Sequence, residues 1–117
     1  MKMRMPAFGE IEVEGAGYDY DLVIEQGSIH KRRKGPSKPY RERYGHTPLS
    51  AEETIPWHGP RLYIGTGMHG SLPIMPEVYA VGEQKGIEIV ALRTPELCAK
   101  LEKLKSKDVN AILHVTC

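Results

Sequence analysis

A chain of 117 residues suits one domain, and 40% apolar with 26% charged residues is ordinary globular composition, able to bury a modest core without disulfides or metal. A net charge of +1 argues nothing about partners, no apolar run approaches the ~20 residues that span a bilayer, and the first nine residues lack the apolar core of a secretory signal. Cys98 and Cys117 stand at neither CxxC nor zinc spacing, so the expectation is a reducing, cytoplasmic setting with no metal and no cofactor.

Phe8 to Val13 alternates apolar Phe8, Ile11 and Val13 with Glu10 and Glu12, the period-2 pattern of a half-exposed strand. Gly15-Ala16-Gly17 turns the chain into a second alternating run, Tyr18 to Glu25, and Gln26-Gly27-Ser28 turns it again into a short strand opening at Ile29. These runs predict an antiparallel hairpin or meander at the front.

Residues 31 to 60 hold Pro36, Pro39, Pro48, Pro56 and Pro60 and read as irregular. One short helix is expected from Ser50, with Glu53 as its capping-box partner and Pro56 ending it. Trp57, set between Pro56 and Pro60, reads as a core plug under the loop.

The remainder predicts βαβαβ. Leu62-Tyr63-Ile64 is a strand, Pro76 to Lys85 a helix with Gly86 as C-cap, and Ile87 to Leu92 a strand. Thr94 caps a helix carrying Leu97, Leu101 and Leu104 on one stripe, with Cys98 beside it as a small core filler, and Val109 to Val115 is the last strand. Alternating strands and helices imply parallel pairing with right-handed crossovers. The fold class is therefore α/β: residues 1 to 117 as a single domain, a mixed β-sheet with an N-terminal antiparallel hairpin and a C-terminal βαβαβ portion.

Gly65-Thr66-Gly67-Met68-His69-Gly70 matches G-x-G-x-x-G after a strand. A dinucleotide site needs a helix to open at once and a ribose-binding acid at the end of the next strand. Pro73 and Pro76 delay the helix and the next strand ends Leu92-Arg93-Thr94, so neither requirement is met. A tight turn remains, or a small anion site in which glycine amides and the Thr66 hydroxyl act at the C-terminal edge of the sheet with Thr94 facing the same crevice.

Lys31, Arg32, Arg33, Lys34, Lys38, Arg41 and Arg43, interleaved with Tyr40 and Tyr44, form a basic segment that could track phosphates and stack bases, and equally a solvated loop. His30, His46, His58, His69 and His114 show no compact ligand spacing. His114 reads as a satisfied imidazole at a strand end rather than half of a Cys–His dyad. Asn occurs once and Gln twice among abundant Lys, Arg and Glu, a bias found in thermophile proteins.

Phe8-Gly9, Ile11, Gly15, Tyr18, Asp21, Gly45-His46, Ile64-Gly65-Thr66-Gly67, Gly86-Ile87-Glu88, Thr94 and His114-Val115-Thr116-Cys117 occur in an order that resembles the Mth-domain family over nearly the whole chain. Arg43-Tyr44 before Gly45 and the helix segment Cys98 to Lys103 depart from the family pattern. The resemblance implies a compact α/β fold, no established enzyme activity and relatives that look like assembly or interaction proteins.

The leading expectation is a non-catalytic binding or assembly protein, with His46, Gly65, Thr66, Gly67, Met68, Gly70, Thr94 and His114 lining a crevice for a small anion or a partner's peptide. An enzyme using His46 or His114 as general base is the alternative, although it wants a second convergent polar group, preferably an acid, that the sequence does not place. Nucleic-acid binding through residues 30 to 43 is the third reading. A protein partner or a homo-oligomer is expected, and no membrane.

Overall fold

The structure, a computed structural model, describes residues 1–117. The chain opens with β1 (Met3–Ala7), β2 (Glu10–Val13) and β3 (Ala16–Tyr18), an antiparallel three-stranded sheet in the order β1-β2-β3. It continues through β4 (Leu22–Glu25) and β5 (Ser28–Lys31), then a 3-10 turn over Gly35–Tyr40 and the single-turn helix α1 (Arg41–Tyr44). The βαβαβ portion follows as β6 (Arg61–Thr66), α2 (Pro76–Lys85), β7 (Glu88–Leu92), α3 (Thr94–Leu101) and β8 (Ala111–His114). The last five strands named form one sheet, ordered β5-β4-β8-β6-β7.

β6 pairs in parallel with both β7 and β8, whereas β4 runs antiparallel to β8 and to β5. The α/β class, the antiparallel front and the parallel βαβαβ unit are as the periodicity predicts. The front strands, however, are divided between two sheets. The run from Tyr18 to Glu25 breaks at Asp19-Tyr20, where the chain leaves the first sheet for the second.

Period-2 alternation sorts each strand of the larger sheet between two cores. Leu22, Ile24, Tyr63, Ala111 and Leu113 face one side, against Leu97, Cys98 and Leu101 of α3 and Ile11 and Val13 of the small sheet. Leu62, Ile64 and Ile112 face the other, against Val78 of α2 and Leu49 and Ile55 of the long loop. The sheet is the middle layer, covered by α3 and the small sheet on one face and by α2 and the loop on the other. Trp57 packs half-buried against the second core.

Two local expectations are corrected. Residues 51–53 make a turn and bend and 54–56 are irregular, with no helix, because the Glu53 carboxylate is taken by Arg32 and does not return to the Ser50 amide, which donates instead to Ser37 Oγ at 3.2 Å. Thr94 starts α3 without capping it; its hydroxyl donates to the His114 carbonyl at 2.6 Å and accepts from the Gly67 amide at 2.9 Å. No helix is long and apolar enough to cross a membrane.

Candidate functional site

Strand direction decides which residues meet. β6, β7 and β8 end at the same edge of the sheet, antiparallel β4 starts there, and β5 ends there. Asp21, Arg32, Gly67, Thr94 and His114, far apart in sequence, therefore converge at one edge.

His114 ends β8 and is half-buried, with Nδ1 2.8 Å from Asp21 Oδ2 and Nε2 3.2 Å from Thr116 Oγ1. Asp21 also accepts from the Val115 amide at 3.0 Å and from Arg32 Nη1 at 2.9 Å. Burial pushes the Asp21 carboxyl up, but the hydrogen bond and charge of His114, the Val115 amide and the Arg32 charge outweigh it and hold the group at about 2.

Arg32, only 4% exposed, spends its guanidinium on Asp21, on both Glu53 carboxylate oxygens at 2.8 Å and on the Pro48 carbonyl at 3.0 Å. The fork onto Glu53 is the bidentate geometry that a planar guanidinium suits and an ammonium does not. Burial lowers the Arg32 pKa, but Glu53 and Asp21 raise it by more, so the side chain is a fixed cation. Ser37 Oγ joins Ser50 Oγ at 2.7 Å and donates to Glu53. The cluster ties the long loop to the sheet edge, and no buried side-chain nitrogen or oxygen is left without a partner.

The glycine loop packs against the last residues. Gly65 lies so close to Thr94 that a Cβ would stand 2.7 Å from its Oγ1. Gly67, at φ +103°, would set a Cβ 2.8 Å from His114 Cδ2 and nearer still to the main chain of Cys117. The loop amides are engaged by the chain itself: Met68 donates to the Thr116 main-chain oxygen at 2.8 Å, and His69 and Ser71 to that of Cys117 at 2.9 and 3.1 Å. Thr66 Oγ1 donates to the Leu92 carbonyl at 3.1 Å. A small anion would have to displace these partners, so the loop amides do not form an open anion cradle.

Gly65, Thr66, Gly67, Met68, Thr94 and His114 are thus gathered at one edge. Gly70 is exposed, with Arg93 beside it, and His46 is exposed and makes no hydrogen bond. The edge also carries a residue absent from the expected set. Phe8, 53% exposed, lies 6.1 Å from the ring of His69, and the next residue, Gly9, donates to the Val115 carbonyl at 2.8 Å. His69 is exposed, follows half-buried Met68 and donates its amide to half-buried Cys117. Phe8 lies in the turn at Phe8-Gly9 between β1 and β2, on the same parity as Glu10 and Glu12 and opposite to buried Ile11 and Val13.

Arg32 is removed from the expected basic surface because it is buried in the cluster. Lys31, Arg33, Lys34, Lys38, Arg41 and Arg43 are exposed, with the Lys31 ammonium 4.9 Å from the Tyr20 ring and the Arg43 guanidinium 5.5 Å from the Tyr44 ring. The Tyr40 hydroxyl donates to Glu52. A pocket of about 490 Å³ beside β4 and β5 is lined in part by His30, Arg33 and Thr54, and by none of the glycine loop, Thr94 or His114. No group of three or more His, Cys, Asp or Glu side chains could hold a metal ion.

With this geometry in place, solved structures provide the comparison. Conserved hypothetical protein PH1505 from Pyrococcus horikoshii OT3 is similar over 100% of both chains, with a TM-score of 0.75 and 29% identity. MT938 is similar over 99% of this chain and 98% of its own, with a TM-score of 0.69 and 26% identity. The chain shares its fold with both. A scan against protein families finds no match, and a search of curated proteins finds none.

Proposed function

We propose that this chain is a non-catalytic binding or assembly protein of the Mth-domain type, cytoplasmic and from a hot-growing organism, which receives a partner's peptide at the C-terminal edge of its larger sheet. The observation that carries this reading is the exposed Phe8 beside the His69 ring, at an edge whose buried polar side chains are all internally partnered. A large exposed aromatic on a rigid, satisfied scaffold is the composition of a binding anchor. Between the two ligands expected from the sequence, the peptide is favoured because exposed Phe8 offers an apolar contact that needs no loop amide, whereas an anion would need the amides that the chain's own oxygens occupy.

The test is capture from cell extract by the whole protein, with Phe8→Ser in parallel. A partner held by the parent and lost from a folded Phe8→Ser variant supports the reading. Equal retention by both overturns this placement of the surface.

One observation favours a second reading. Asp21 on His114 Nδ1 is the acid that a general-base role for His114 lacked, and Thr116 Oγ1 stands at Nε2, an order of hydroxyl, imidazole and carboxylate suited to proton transfer. Turnover of an ester substrate that disappears in Thr116→Val and His114→Gln would establish it.

A further inference from the structure

We propose that two copies of this chain associate through the open edge of β7, antiparallel about a two-fold axis at Val90, to make one ten-stranded sheet. β7 is the outermost strand on its side and pairs only with β6. The Glu88 amide donates to the Pro60 carbonyl, immediately before β6, so the main-chain groups of Glu88, Val90 and Leu92 face β6. The groups of Ile89 and Ala91 therefore point to the side where no strand lies. In a two-fold antiparallel pair, Ile89 stands opposite Ala91 of the second copy. Each such pair exchanges two hydrogen bonds, and Val90 meets Val90 between them.

The side chains agree with the backbone. Ile89, Val90, Ala91 and Leu92 are four consecutive apolar residues, all only half-buried, on a strand with no proline and one charge at its start. Soluble proteins blunt such edges with charges or cover them. The opposite edge of this sheet does so: β5 is Ser28-Ile29-His30-Lys31, with only Ile29 half-buried. The ends of β7 are also complementary. Glu88 precedes Ile89 and Arg93 follows Leu92; both are exposed and paired within the chain, Glu88 to Arg61 and Arg93 to Glu96 at 2.6 Å each, and the antiparallel arrangement sets the Glu88 end of one copy beside the Arg93 end of the other, twice, where these solvent-exposed pairs can extend across the seam. This interface is separate from the Phe8 edge, and either can fail without the other.

Sedimentation equilibrium of the full chain over about 1–100 µM reads the association directly. The parent is expected to be dimeric. Ala91→Pro removes an outward N–H and no β6 bond, and should be monomeric with an unchanged circular dichroism spectrum. If that variant does not fold, charge reversal decides: Glu88→Arg and Arg93→Glu each raise the dissociation constant about tenfold, and the double variant restores it. A monomeric parent at the top of the range overturns the proposal. So does a dimer that withstands a folded Ala91→Pro variant, or both charge reversals where that variant does not fold.

Discussion

His114 Nδ1 lies 2.8 Å from Oδ2 of Asp21, a residue 93 positions earlier, and this contact joins the end of β8 to the start of β4. The same carboxylate receives Arg32, and Arg32 holds the long loop through Glu53 and Pro48. The candidate site therefore stands on a buried ionic scaffold, and its stability follows from that chemistry.

Arg32→Met should destabilise the protein by about 3–5 kcal/mol, because Asp21 and Glu53 would be left buried without their cation. The exposed neighbour is the control: Arg33→Ala should change stability by less than about 0.5 kcal/mol. Urea unfolding of both variants measures the difference. Equal stabilities would contradict the cluster.

Acid should weaken the fold through Asp21. Its folded carboxyl titrates at about 2 against an ordinary 3.8, so its contribution is complete above pH 3.8 and is lost as pH falls from there toward 2. The amount is on the order of 2 kcal/mol. Denaturant midpoints measured across that window should fall less steeply in Asp21→Asn than in the parent.

Gly67→Ala should cost more than Gly9→Ala. Both glycines have positive φ, +103° and +82°, so each alanine is strained by roughly 1–2 kcal/mol. At Gly9 a Cβ meets open space, whereas at Gly67 it meets His114 and Cys117. Thermal melts of the pair separate the strain from the clash. Matching melting temperatures would show that the terminal residues do not pack on the loop.

The two thiols should behave differently. Cys98, on α3, is buried in the first core and its thiol is pushed up to about 11 by that burial, while Cys117 is half-buried and unbridged. A thiol-reactive disulfide reagent should modify one cysteine in the folded protein and both in denaturant. Rapid modification of both without denaturant would contradict the packing of Cys98.

Regular elements were legible in the sequence where periodicity and end signals agree. Pro76 and Gly86 bound α2 as expected, and Leu97 and Leu101 are fully buried on α3. β1 was missed although Met1, Met3 and Met5 alternate with charged residues; Pro6 and the irregular register between Arg4 and Ala7 obscure it. The ionic cluster was not legible because Arg32 sits in a basic run whose other members are solvated, and Glu53 has a local role open to it as a cap. Charge alone does not say which arginine turns inward; that is decided by β4 and β5 pairing, which brings Arg32 back to Asp21. The gathering of Gly67, Thr94 and His114 at one edge follows from strand direction, whereas the nearness of Phe8 to His69 depends on how the small sheet packs, which the sequence does not encode locally.

The most direct measurement is native mass spectrometry of the protein purified gently from its own cells, with Phe8→Ser prepared identically. A bound mass beyond one or two subunits is expected on the parent and absent from the folded variant. Identical spectra showing subunit mass and its multiples alone, in parent and variant, would contradict a partner seated at the Phe8 edge.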